Sequence, residues 1–304
     1  MNNKDIINIE EITKEDIFKI LQLAAEFEQQ GIPGNLLNGK IIGSLFFEPS
    51  TRTRLSFEAA ALRLGAKIIG FSGTENTSLK KGESLEDTIR MVDGYADAVV
   101  IRHPEAGSAQ RAADAAAHPV INAGDGANQH PTQTLLDLYA IQKSQGKIDG
   151  LTIAMVGDLK YGRVPHSLAK VLTVFDGVRQ VWIAPENLAM PKEIAEYVTA
   201  HGGQVEQTTD MAGSIAHVDI LYMTRVQEER FVQQAEYEAV KDVYILQPEM
   251  LHGARPSMNI LHALPRRYEI PQSIDDSPHA YYFQQARGGM YVRAALLAMV
   301  LGEK

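Results

Sequence analysis

Phe46-Phe47-Glu48-Pro49-Ser50-Thr51-Arg52-Thr53-Arg54-Leu55-Ser56-Phe57-Glu58 changes its period in mid-stretch. The apolar run over 41–47 reads as a buried strand, Pro49 breaks it, and a helical pattern over 52–64 begins near Ser50 or Thr51. Strand, short turn and helix form the repeating unit of an α/β fold with a parallel sheet. The same alternation runs outward from here. Further strands are expected at 66–71, 98–102 and 119–122, then at 151–156, 180–184, 204–207, 219–223, 243–246 and 258–262. Helices are expected at 13–30, 84–94, 106–116, 131–145, 166–175, 190–201 and 291–301. The fold class is therefore α/β, with two doubly wound domains and parallel sheets. Gln145-Gly146-Lys147-Ile148-Asp149-Gly150 is the candidate linker. It gives a first domain over 1–131 plus 288–304 and a second over 146–287.

Composition agrees with this plan. A chain of 304 residues is long for one simple core and comfortable for two. Its 45% hydrophobic and 22% charged residues mark a folded globular protein rather than a disordered one. There is no cysteine, which excludes disulfides, thiolate metal sites and a cysteine nucleophile. The histidines show no HxxxH-type pairing either, so no metal and no organic cofactor is expected. Met1-Asn2-Asn3-Lys4-Asp5 lacks the apolar stretch of a leader, and no run reaches the roughly 18–20 apolar residues of a membrane helix. A cytoplasmic protein with no membrane partner is expected. The formal net charge of −9 argues against nucleic acid as a partner. In so acidic a chain, arginines gathered at a few turns point to a small anion.

The first turn of the helix after Pro49 is such a place. Helix N-termini carry unpaired backbone N–H groups and the positive end of the dipole. Ser50, Thr51 and Thr53 add hydroxyls there and Arg52 adds a guanidinium, which makes a phosphate cradle without a glycine-rich loop. Arg52 and Arg54 stand about 200° apart around a helix and cannot both face one ligand. Arg52 is assigned to the anion and Arg54 to a structural pair, with Glu48 as the candidate partner. The competing reading is an ordinary cap with surface arginines.

Other segments repeat the pattern. Arg102 ends a strand, where open α/β sheets bind ligands, although an exposed strand-end arginine is the plain alternative. His130 precedes Pro131, a residue suited to the first helical position, and Gln133 follows three places on, so both can point at one ligand. In the second half a strand runs into Gly157-Asp158, and Arg163 lies in the following loop or first helical turn. No GxGxxG is present, which argues against a dinucleotide site. Another strand delivers Arg225 and Gln227, and two guanidiniums can grip two carboxylates. The alternative for Arg225 is a surface salt bridge with Glu228 or Glu229. The stretch 72–83 is polar and glycine-bearing, and reads as a mobile loop.

Taken in order, these segments resemble the motifs of the aspartate and ornithine carbamoyltransferases. The matches are the 46–58 stretch, Arg102-His103-Pro104, His130-Pro131-Thr132-Gln133, Asp158-Leu159-Lys160-Tyr161-Gly162-Arg163, Met223-Thr224-Arg225-Val226-Gln227 and His262-Ala263-Leu264-Pro265-Arg266. The resemblance implies that Ser50, Thr51, Arg52, Thr53 and Arg102 hold the phosphate of carbamoyl phosphate. It implies that Thr53, Arg102 and His130 surround the carbamoyl oxygen, with Gln133 and the Leu264 backbone near the carbamoyl nitrogen. Arg52, Thr53, Arg102 and His130 are then the catalytic set, and the active site lies between the two domains. Arg163, Arg225, Gln227 and Lys81 are implied for the amino acid. Ser78 and Lys81 are implied to serve a neighbouring subunit in a homotrimer, to which regulatory chains join in part of the family.

Two features favour L-aspartate over L-ornithine. Ornithine enzymes carry a cysteine in the motif before the late proline, and this chain has none. Arg225-x-Gln227 also suits a carboxylate better than an ammonium. The implied reaction gives N-carbamoyl-L-aspartate and phosphate, an early step of pyrimidine biosynthesis. Transfer to another amino acid, and a silent homologue that only binds carbamoyl phosphate, are the rival readings; the second should have lost one of Arg52, Arg102, His130 or Arg225. Two departures from the family pattern stand out. The 72–83 loop is one residue short before Lys80-Lys81, and alanine replaces proline at 263, just ahead of a Leu264–Pro265 bond expected to be cis.

Overall fold

The computed structural model describes Met1, residues 4–228, Phe231 and residues 233–302, without the side chains of Gln234 and Glu236. Its strands are β1 (Ile41–Phe46), β2 (Lys67–Ser72), β3 (Ala98–His103), β4 (Val120–Asp125), β5 (Thr152–Val156), β6 (Arg179–Ile183), β7 (Gln204–Thr208), β8 (Ile220–Met223) and β9 (Asn259–His262). Its α-helices are α1 (Lys14–Gln30), α2 (Thr51–Arg63), α3 (Leu85–Asp93), α4 (Ser108–Ala115), α5 (Pro131–Gln145), α6 (Arg163–Val171), α7 (Lys192–Ala200), α8 (Met211–Ile215), α9 (Gln234–Glu238) and α10 (Tyr282–Leu301). The class is α/β, with two parallel sheets flanked by helices, as the alternation of the sequence predicts.

Contacts divide the chain into two compact units, one of Met1–Tyr139 with Arg287–Lys304 and one of Ala140–Ala286. The division falls inside α5 and α10, so each of these helices contributes residues to both units.

In the first unit the strands lie in the order β2-β1-β3-β4, every neighbouring pair parallel. The chain steps from β1 to β2 on one side and then places β3 on the other side of β1. The reversal leaves a switch point at the carboxyl ends of β1 and β3, where open α/β sheets bind ligands. Phe46 is registered with Arg102 there, and the Phe47 N–H donates to the Arg102 carbonyl at 2.8 Å. Leu45, Ile89, Val99, Ile101 and Val120 fill the core beneath. The second sheet repeats the design in the order β7-β6-β5-β8-β9, again all parallel. Its switch point lies between β5 and β8, with Val156 registered against Met223. Ala154, Val156, Ile183, Leu221 and Ile260 lie in its core.

Local chemistry sets the helix starts. Thr13 caps α1 by accepting from the Asp16 N–H at 3.1 Å, and Ser84 caps α3 through the Asp87 N–H at 3.1 Å. Two expectations need correction. Residues 243–246 do not form a strand: Leu246 is fully buried, and its N–H donates to the Glu269 carbonyl at 3.0 Å, but no ladder follows. Leu246 alone of the run is buried, while Val243 is exposed, so the segment anchors by one side chain rather than by pairing. The last helix begins at Tyr282 rather than near 291. Gly288 and Gly289 do not break it; they let it pack closely. A Cβ on Gly288 would lie 3.0 Å from the Tyr139 ring, and one on Gly289 2.9 Å from Leu136.

Candidate active site

At the first switch point β1 stops at Phe46, Glu48-Pro49 turn the chain, and α2 starts at Thr51. Ser50 sits at the cap position, yet its hydroxyl accepts nothing from the helix. The Arg54 N–H is the first to find a helical acceptor, the Ser50 carbonyl at 3.0 Å. The amides of Thr51, Arg52 and Thr53 therefore have no acceptor among the described residues and remain available to an anion. Thr53 is buried, Ser50 half-buried, and Thr51 and Arg52 exposed.

The charges there are unbalanced. No carboxylate among the described residues pairs with Arg52, and partial burial lowers its guanidinium below the ordinary arginine value. Arg102 bonds Glu48 at 2.7 Å and donates to the Ala123 carbonyl at 3.2 Å, while its buried Nε has no partner. Burial lowers Arg102 as well; Glu48 counteracts that, and Arg52 adds repulsion. Of two guanidiniums that repel each other only Arg102 has a carboxylate, so the place is short of negative charge. Arg54 is not part of it. The expected pair with Glu48 is replaced by Glu58, one turn along α2, at 2.7 Å.

His130 and Gln133 reach their positions through an Asp125-centred turn. Asp125 accepts from the N–H groups of Gly107 at 2.9 Å and Gln129 at 3.0 Å. That turn ends at His130, whose carbonyl accepts from the Gln133 N–H at 2.9 Å as α5 begins at Pro131. The imidazole is buried, with Nδ1 3.5 Å from the Thr132 hydroxyl. Gln133 donates its side-chain N–H to Asp137 at 2.9 Å. A carboxylate only accepts, so this bond orients the amide and leaves the oxygen as the end for a ligand.

The second switch point carries the other pair of arginines. Gly157 follows β5 at φ +116°, and a Cβ there would lie 2.3 Å from the Thr224 carbonyl, so only glycine fits. Asp158 is fully buried and ties two loops together. One of its oxygens accepts the Tyr161 N–H at 2.9 Å, the other the Gln227 N–H at 3.2 Å. Burial raises its carboxyl above the ordinary value, against the pull of those N–H groups and of Arg225. Arg163 is the first residue of α6, and Arg225 and Gln227 follow β8; all three are half-buried. The alternative partner for Arg225 is already engaged, because Glu228 pairs with Arg267 at 2.8 Å. Glu229 lies outside the described residues.

Leu264 belongs to the second unit and stands at φ +56°, with a cis bond to Pro265 as expected. Ser78 and Lys81 are exposed on a 3-10 turn, Ser78–Lys81, where only a mobile loop was expected. The structure thus gathers Ser50, Thr51, Arg52, Thr53 and Arg102 at one switch point, and Arg163, Arg225 and Gln227 at the other. It puts His130 and Gln133 at the head of α5.

Sequence reasoning assigned no role to Asp137, Asp158 or Arg293. Arg293 is buried in α10 and donates to the Ser56 hydroxyl at 2.8 Å, which in turn donates to the Arg52 carbonyl at 2.7 Å. Burial pulls this guanidinium down to about 10, opposed by Asp137 and reinforced by Arg102. An arginine inside the otherwise apolar stretch 292–301 was the available signal. Among the described residues, no group of three or more His, Asp or Glu side chains could hold a metal, and no helix is long and apolar enough to cross a membrane.

Residues 4–143 match the family model described as aspartate/ornithine carbamoyltransferase, carbamoyl-P binding domain, and residues 149–300 match the one described as its Asp/Orn binding domain. The chain is 53% identical over 304 residues to the aspartate carbamoyltransferase catalytic subunit of Phocaeicola vulgatus, across 99% of this chain and 96% of that one. To the subunit of the same name from Thermococcus gammatolerans it is 51% identical, across 99% and 98%. The solved catalytic subunit of M. jannaschii aspartate transcarbamoylase is similar at TM-score 0.91 and 46% identity, covering 98% of this chain and 97% of that one. Aspartate transcarbamoylase from Trypanosoma cruzi, in complex with N-(phosphonacetyl)-L-aspartic acid, gives 0.92 and 38%, covering 99% and 97%. With both halves matched and relatives aligned from end to end, the chain belongs to the aspartate/ornithine carbamoyltransferase family.

Proposed function

We propose that the chain transfers the carbamoyl group of carbamoyl phosphate to the amine of L-aspartate, giving N-carbamoyl-L-aspartate and phosphate for pyrimidine biosynthesis. It is a carbamoyltransferase, and the observation that carries the reading is the excess positive charge of Arg52 and Arg102, with Glu48 alone against them, beside the uncapped start of α2. Ser50, Thr51, Arg52, Thr53 and Arg102 hold the phosphate. The neutral amine attacks the carbamoyl carbon, and negative charge builds on the carbamoyl oxygen. Thr53, Arg102 and His130 donate to that oxygen, where preorganised donors lower the barrier. Gln133, its amide oriented by Asp137, accepts from the carbamoyl nitrogen together with the Leu264 carbonyl. The C–N bond forms, the C–O bond to phosphate breaks, and phosphate departs with the amine proton.

Arg163 and Arg225 take the two carboxylates of aspartate, with Gln227 beside them. Lys81 adds a third cation, supplied with Ser78 by a neighbouring chain of a homotrimer. The exposure of that turn and the naming of the relatives as catalytic subunits support the assembly. Purified protein given carbamoyl phosphate is expected to carbamoylate L-aspartate and to leave L-ornithine essentially untouched. Comparable turnover of ornithine refutes the assignment of Arg163, Arg225 and Gln227.

A further inference from the structure

The turn after β9 contains a buried relay with no part yet in the chemistry. His262 ends β9 at 3% exposure, and Glu269 is buried beside it at 7%. The imidazole Nε2 lies 2.8 Å from a Glu269 oxygen. The Leu264 N–H donates to Nδ1 of the same ring at 2.7 Å. Burial pushes the Glu269 carboxyl up, but the bond from His262 and the backbone N–H groups at Glu269 and Arg267 outweigh this and hold it below the ordinary value. It is thus an ionised, acceptor-only group. The proton between the two must sit on Nε2, and in a neutral imidazole that leaves Nδ1 as the acceptor Leu264 needs.

Leu264 requires such a restraint. It is the one non-glycine residue with positive φ among those described, at +56°. A side-chain-bearing residue is strained there and persists only where its surroundings enforce it. Ala263 has no ring to restrict the turn. The β9 end is itself anchored, because the His262 N–H donates to the Gln285 side chain at 2.8 Å.

We propose that His262 is a positioning residue for carbamoyl transfer: its Nδ1 fixes the Leu264 peptide, and Glu269 fixes the tautomer that makes Nδ1 an acceptor. The step rests on the reading that the Leu264 carbonyl accepts from the carbamoyl nitrogen. With the peptide set, that carbonyl meets the carbamoyl amide without reorganising during reaction.

The two ring nitrogens can be replaced one at a time. His262→Asn puts an oxygen near the place of Nδ1, and His262→Gln puts an amide near the place of Nε2. His262→Asn is expected to keep kcat within about tenfold of wild type. His262→Gln, which can still donate to Glu269 but leaves the Leu264 N–H without an acceptor, is expected to lose about 10²-fold. Equal losses, or the reverse order, overturn the proposal, since a ring present only to pair with Glu269 is better replaced by glutamine. Should a variant not fold, the wild-type enzyme carries the test. With only leucine and histidine labelled with 15N, a coupling across the hydrogen bond should link one leucine amide to a histidine ring nitrogen. Its absence overturns the proposal. If the wild-type enzyme carries out no transfer to aspartate, the reading of the reaction fails, while the coupling still reports on His262 and Leu264.

Discussion

Asp158→Asn separates the two halves of the site. The carboxylate satisfies two backbone donors with two oxygens, Tyr161 N–H at 2.9 Å and Gln227 N–H at 3.2 Å. An asparagine offers one oxygen and one NH2. The shorter bond to Tyr161 is kept, and the Gln227 N–H then faces a donor. A hydrogen bond to a charged group is worth about 1.5–3 kcal/mol. Expressed in the placement of Arg225 and Gln227, that is a loss of about 10- to 150-fold in kcat/KM for aspartate. Global stability should change much less. Burial raises the Asp158 carboxyl, so the ionised form is penalised in the fold at neutral pH, and the neutral amide removes that penalty. The proposed phosphate cradle at the start of α2 belongs to the first unit, so carbamoyl phosphate should keep its affinity. Steady-state kinetics in aspartate at saturating carbamoyl phosphate, calorimetry of carbamoyl phosphate binding and a thermal melt together read the result. An unchanged kcat/KM for aspartate, or a lost carbamoyl phosphate affinity, refutes the division of labour.

Three further outcomes are expected. Arg52→Ala should cost about 10²-fold or more in kcat, because it removes a cation from developing charge, whereas calorimetry on Arg225→Ala should still detect carbamoyl phosphate binding. Arg52→Ala and Lys81→Ala chains, each inactive alone, should regain up to about a third of wild-type activity per mixed trimer when refolded together, since one site in three is then intact; electrophoretically verified mixtures without activity defeat the shared site. His166, whose ring lies 2.7 Å from the Leu159 carbonyl, is lowered by burial, so the unfolded chain binds its proton first. Its contribution is full above the unfolded value of about 6.5 and is lost as pH falls below it, by no more than about 1.4 kcal/mol per unit; urea titrations at several pH values should show that limb flattened in His166→Gln.

The legible part of this molecule is its local part. The 46–58 stretch announces its strand, break and helix because periodicity, Pro49 and the hydroxyl-rich first turn all act within a few residues. What escaped depends on partners distant in sequence. Asp158 gains its meaning from Gln227, Arg293 from Ser56, and Arg102 from Glu48. Nothing near 243 reveals that Leu246 meets Glu269 rather than a strand, and the close packing of Gly288 and Gly289 on Tyr139 and Leu136 is set by residues far away in sequence. The Arg54 pairing failed for the opposite reason: Glu58, one turn along the same helix, was the more local choice.

The first unit is discontinuous, Met1–Tyr139 with Arg287–Lys304, and this has a consequence for synthesis. Val292, Ala294, Leu296, Leu297 and Val300 are wholly buried, and Arg293 bonds Ser56. A growing chain has all four strands of the first sheet long before it has this helix. The second unit, continuous from Ala140 to Ala286, has no such gap to wait for. Domains generally fold as units while they emerge, so the half that leaves the ribosome first is the last to be completed. Until the segment that begins at Arg287 has emerged, it presents unfilled apolar surface to chaperones and to other nascent chains.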